Sequence, residues 1–148
     1  MSGEAGERVN DRARWALVTF IRRGGAVSAR DYLQARARVE AFWLDVTAFL
    51  ARFDLLLTPT VAVPPFAAPG RPPREVAGQE VSVLGWMPFT YPFNLTGQPA
   101  ATVPAGWTDD GLPIGLQIVG QRHADRTVLA ASAAFETACP WRDRRPAL

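Results

Sequence analysis

The sequence contains no lysine: its basic residues are 16 arginines, balanced by 14 acidic residues to a formal charge of +2. Lysine chemistry, whether as a general base or as a Schiff-base amine, is therefore excluded from the chain's own repertoire. One cysteine, Cys139, excludes an internal disulfide, and one histidine, His123, leaves no ligand spacing for a metal. Four serines, Ser2, Ser28, Ser82 and Ser132, stand isolated, none of them in a glycine- and serine-rich turn. There is no glycine-rich phosphate loop, and no internal repeat or low-complexity tract. The low net charge argues against nucleic acid or an anionic membrane as a partner. The opening MSGEAGERVNDRAR has no apolar core of the kind a secretory leader needs. A cytoplasmic location without bound cofactor or metal is the expectation.

Charge is also missing from Val81 to Thr108, a run of 28 residues. A membrane span is one reading of such a run, but Pro88, Pro92, Pro99 and Pro104 interrupt it, and Asn94, Thr96 and Gln98 would need partners in lipid. Buried interior is the better reading. Ala100 to Val103 is small and β-branched, Asp110-Gly111 is a turn dipeptide, and Leu112, Ile114, Leu116 and Ile118 alternate. That pattern predicts strand, turn, strand. Gly115, on the other side of the second strand, implies a close neighbour there.

Around this stretch the remaining elements fall into place. Residues Glu7 to Arg23 carry Trp15, Val18 and Ile21 at helical spacing, so 1–27 reads as an N-terminal helical segment stopped by Gly24-Gly25. Ser28 stands three residues before Asp31, a capping pattern. From there Tyr32, Ala35, Val39, Phe42, Trp43, Val46, Phe49, Leu50 and Phe53 keep steps of three and four, predicting a long helix with one apolar stripe for the core. Leu55 to Thr58 follows as a short strand, expected to be covered on both faces. Pro59, Pro64 and Pro65 end it, and 66–80 is a proline-rich loop that could act as a lid. Asp125 is expected to cap a last helix, Arg126 to Ala138, with Trp141 anchoring a basic tail to the core.

The runs PFNLTGQPAATVPAG and GLPIGLQIVGQ, the helix containing Glu136, and upstream FDLLLTPTVAVPP (Phe53 to Pro65) together resemble the C-terminal portion of amidase-signature enzymes, serine hydrolases of carboxamides. The likeness extends over roughly Asp31 to Pro146. It implies an α/β fold in which the chain, a single partial domain over 1–148, forms one end of a larger mixed β-sheet flanked by helices. Such enzymes are understood to use a serine nucleophile, a second serine in a cis peptide and a lysine base. Serine alone is a poor nucleophile at neutral pH, so without lysine or a serine-rich turn the chain has no catalytic residue to offer and is expected to be inactive alone.

Other catalytic sets find little support. His123 with Asp125 and Ser82 or Ser132 is nominally a triad, but GQRHADR reads as an exposed turn. Reactive cysteines favour helix N-termini, and Cys139 falls at the opposite end of a helix.

The resemblance instead implies a share in substrate binding, since the segment before the Asn-Leu-x-Gly motif lies near the acyl side of the family's site. In this chain that segment gives Trp86, Met87 and Phe89 as substrate-binding candidates, with packing in the core as the alternative for all three. Members acting on amino-acid amides, including the glutamine-hydrolysing subunit of transfer-RNA amidotransferases, typically place an acidic residue three positions before the threonine. Met87 holds that position, which favours an uncharged aryl or alkyl acyl group. Asn94, Gly97 and Pro99 read as structural, Asn94 as a buried asparagine satisfying a bend. The expected partners are a small-molecule amide, bound only with the missing catalytic half, and either an N-terminal amidase half or a second copy of the chain. The rival class is a stand-alone binding module whose open sheet edge pairs with one of these.

Overall fold

A computed structural model of the chain describes residues 28–67 and 70–144. The helix expected over Glu7 to Arg23 and the last four residues lie outside them. Helix α1 runs Ala29–Leu50 and starts where the sequence placed it. The Ser28 hydroxyl accepts from the Asp31 N–H at 3.1 Å and donates to the Asp31 carboxylate at 2.9 Å. This satisfies one of the orphan donors of the first turn. Of the long apolar stripe, Phe42, Val46 and Leu50 are buried. Tyr32 near its start is exposed, as are Phe49 and, past its end, Phe53, so the helix is seated on the core only through Phe42, Val46 and Leu50.

Strand β1 (Leu55–Pro59) follows, then a two-residue hairpin, β2 (Glu75–Val76) and β3 (Gln79–Glu80), inside the stretch read as loop. Its turn puts both Ala77 (φ 51) and Gly78 (φ 75) in the left-handed region, as a two-residue hairpin turn requires. A six-residue helix α2 (Tyr91–Thr96) ends on Gly97 at φ 74, where a side chain would be strained. Strands β4 (Ala100–Trp107) and β5 (Pro113–Gly120) then form the expected hairpin, and α3 (Asp125–Ala138) closes the fold.

The main sheet has the order β1-β5-β4, antiparallel throughout, with a bulge in β4 between Pro104 and Gly106. Neighbouring side chains of β5 point to opposite faces. Val119 joins Phe42, Val46, Leu50, Tyr91 and Phe93 under α1 and α2, while Ile118 joins Val103 and Val128 under α3. Burying each such side chain is worth about 1.5–3 kcal/mol, so these two clusters hold the layers together. Trp141 packs on the second cluster, its ring 6.4 Å from that of Phe135, which anchors the tail as expected.

Several expectations are corrected. β1 is an edge strand whose Leu57 is 57% exposed, so it is not covered on both faces. The last helix begins at Asp125 with Ala124 in the capping position, and no side chain caps it. Asn94 is exposed rather than buried, because it projects from the free side of α2. The buried polar groups of that segment are Thr96, whose hydroxyl donates to the Pro92 carbonyl at 3.0 Å, and Gln98.

Candidate functional site

A concavity of about 320 Å³ opens at the end of the sheet where β1 and β5 leave the helices, lined by residues 61–66, Trp86 and residues 113–115. Three connections build it. The Thr60 N–H donates to the Gly115 carbonyl at 2.9 Å, extending β1 past Pro59, and the Ala62 N–H donates to the Trp86 carbonyl at 3.0 Å. The Phe66 ring then meets the Trp86 ring edge-on, centroids 5.4 Å apart at 88°, a favoured arrangement for two π-systems. Every lining residue is uncharged.

The floor depends on Gly115. An added Cβ there would lie 2.5 Å from Thr60 Oγ1 and 3.0 Å from Thr102 Cγ2, so only glycine lets the two flanking strands bring their threonines together across it. Those hydroxyls are 3.3 Å apart. Two residues along β5, the buried Gln117 amide donates to Thr58 Oγ1 at 3.0 Å and to the Phe89 carbonyl at 2.8 Å. One side chain thus ties the segment carrying Trp86 to the edge strand.

The three sequence-predicted residues are not brought together. Trp86 lines the concavity. Met87 packs with Leu56 and Leu95 against the cluster under α1. Phe89 is half-buried and contributes its carbonyl to Gln117. The lining residues Phe66 and Ile114 were not site candidates from the sequence: Phe66 stands just past FDLLLTPTVAVPP, and Ile114, within GLPIGLQIVGQ, reads there as one of the alternating strand residues. Gln117 was legible in principle: a polar residue in an uncharged strand, on the face opposite Leu116 and Ile118.

Among the described residues there is no group of three or more histidine, cysteine or acidic side chains able to hold a metal, and no helix long and apolar enough to cross a membrane. The Ser132 hydroxyl donates to the Val128 carbonyl of its own helix at 2.8 Å. His123 is exposed in a turn at φ 65 and makes no hydrogen bond to Asp125 or to a serine among the described residues. Cys139 is exposed at the end of α3.

The arrangement defines an α/β protein with an apolar recess and no assembled catalytic set among the described residues. The family model described as Amidase matches residues 7–129, and the chain belongs to the amidase-signature family. It is 40% identical over 133 residues to an acylamidase of Rhodococcus erythropolis, covering 88% of this chain and 28% of that protein. It is 36% identical over 125 residues to a fatty acid amide hydrolase of Medicago truncatula, covering 80% of this chain and 20% of that one. Among solved structures, a bacterial aryl acylamidase of the amidase-signature family superposes with a TM-score of 0.75 at 38% identity, over 89% of this chain and 29% of that one. The chain therefore spans less than a third of the length of these relatives, and matches their C-terminal portion.

Proposed function

We propose that the chain is the acyl-side portion of an amidase that hydrolyses carboxamide C–N bonds to a carboxylate and an amine or ammonia. The observation that carries this reading is the uncharged recess beside Trp86 in a chain of this family. An apolar, aromatic-walled recess gains affinity from the aryl or alkyl part of an acyl group and offers nothing to an ammonium, so a neutral acyl group suits it best. Met87 turned into the core fits the same reading, since no acidic side chain stands at that position. The similarity to an acylamidase and to an aryl acylamidase points in the same direction.

The reacting groups come from elsewhere in this reading. A serine hydroxyl must be deprotonated as it attacks the amide carbon, and no lysine of this chain can take that proton. The chain contributes binding and shape: it holds the acyl group and keeps water from it, while the nucleophile, the base and the oxyanion donors belong to the remaining portion of the fold. That portion is the proposed partner, in the cytoplasm, with a small neutral amide as substrate.

Purified chain alone is expected to give no hydrolysis of 4-nitroacetanilide above buffer. Turnover that rises in proportion to the concentration of the chain, and survives repurification, would overturn the proposal.

A second reading has one observation in its favour. Both edges of the three-stranded sheet are open among the described residues, as they would be in a module that works by pairing with another chain.

A further inference from the structure

The wall of the recess is built from side chains that cannot easily change shape. Pro64, Pro65 and Pro113 line it with φ locked by their rings, and Gly115 contributes no side chain at all. Val61 and Val63 are β-branched and stiff at χ1. Leucine and methionine, the residues that remould most readily around a ligand, are missing from the lining. A fixed wall favours a ligand that is itself rigid, because a flexible alkyl chain must surrender rotamers to lie against it.

Size narrows the ligand further. A sealed apolar cavity of about 150 Å³ admits benzene. The recess holds about 320 Å³, so a single substituted ring or two fused rings would occupy it.

The two aromatic side chains of the lining decide between a flat ring and a saturated one. The Trp86 carbonyl accepts from the Ala62 N–H at 3.0 Å, which fixes the tryptophan against the segment that reaches Phe66 four residues later. The two rings then stand at 88° with centroids 5.4 Å apart. An aromatic ring is negative on its face and positive at its edge, so a perpendicular pair offers an entering ring one of each. A saturated group has no quadrupole to answer them and gains only from the area it buries.

We propose that the recess is a ring-selective subsite. It takes a flat, uncharged aryl group in preference to an alkyl or cycloalkyl group with the same number of carbons, and Phe66 and Trp86 are its specificity-determining residues. The substrate class is thereby narrowed to amides of aromatic acids. This rests on the reading of the recess as the acyl side of an amidase site.

The test titrates the whole chain with benzamide, cyclohexanecarboxamide, heptanamide and benzylammonium, taking dissociation constants from NMR shifts of backbone amides and indole N–H groups. Benzamide is expected to shift the Trp86 indole and residues 61–66 and 113–115, and to bind at least ~3-fold more tightly than either saturated amide. Phe66 is 41% exposed, so Phe66→Leu keeps an apolar rim without the ring. That variant should bind benzamide ~3-fold more weakly and the saturated amides within about twofold of the parent. Phe49→Leu removes an exposed ring of α1 that does not line the recess, and should change none of the affinities by more than about twofold. Circular dichroism checks that both variants are folded.

Affinities for the aromatic and saturated amides within twofold of each other overturn the ring preference and keep the neutral acyl site. Equal weakening of all three amides by Phe66→Leu also overturns it, since the ring would then supply area alone. Benzylammonium bound as tightly as benzamide, with the same shifts, keeps the ring preference and sinks the reading of the recess as a site for a neutral acyl group. Absence of saturable shifts in the recess with any of the amides overturns both.

Discussion

The two ends of β5 belong to one strand and have opposite fates. From Gln117 to Gly120 every residue is buried, whereas Pro113 and Ile114 are exposed. At the closed end α1 and α2 cover one face and α3 the other. At the open end no helix of the described residues reaches, and Ile114 stands 45% exposed beside the recess. The strand's own sequence does not distinguish the ends, since PIGLQIVG is uncharged throughout. What differs is how far the covering helices extend among the described residues, so the closed end is a finished core and the open end is an exposed apolar surface.

The largest effect should come from breaking the closed end. Phe42 is 2% exposed and sits in the cluster with Val119. Phe42→Ala removes the transfer energy of the ring and leaves a cavity, at a cost of about 3–5 kcal/mol. In a domain of this size that is a fall in melting temperature of roughly 10 °C or more, measured by calorimetry or circular dichroism. A fall of only a degree or two would mean that α1 is not seated on the sheet as described.

Gln117 marks the boundary between the two ends, and the next effect tests whether it fastens them. Gln117→Leu keeps the volume but leaves Thr58 Oγ1 and the buried-side Phe89 carbonyl without their donor. The expected cost is about 1–3 kcal/mol, because an unsatisfied acceptor forfeits its solvation. Amide exchange should quicken over 81–90 more than over α3. Equal quickening in both regions would show that Gln117 supports the whole fold rather than the wall of the recess.

Much of this contrast was legible in the residues, and its missing parts have physical causes. Ser28 before Asp31, the alternation of Ile114, Leu116 and Ile118, and Gly115 as a point of close approach are local signals, and each marks a feature that the fold contains. The stripe from Tyr32 to Phe53 predicted nine core positions, but periodicity reports which side chains share a face and not how much sheet lies beneath them or where the helix ends, so Tyr32 and Phe49 of α1 and Phe53 beyond it remain exposed. Likewise Leu55 to Thr58 has the composition of a central strand although it forms an edge here. Trp86 meets Phe66 across a proline-rich turn, twenty residues apart, and Met87 turns the other way into the core, two outcomes that only the three-dimensional arrangement decides.

The smallest effect should come from the open end. Ile114 lies on the same strand as Val119, in a segment of equal apolarity, yet about half of its surface already meets water. Ile114→Ser therefore forfeits little burial, and serine at an exposed position of a strand is tolerated, so stability should change by no more than about 0.5 kcal/mol. Binding should change more than stability. If the recess holds an aryl or alkyl group, acetanilide binding there should weaken severalfold, since loss of three carbons of apolar wall costs about 1–2 kcal/mol of contact. A destabilisation as large as that of Phe42→Ala would mean that Ile114 belongs to the core after all, and the division of β5 into a finished and an open end would fall with it.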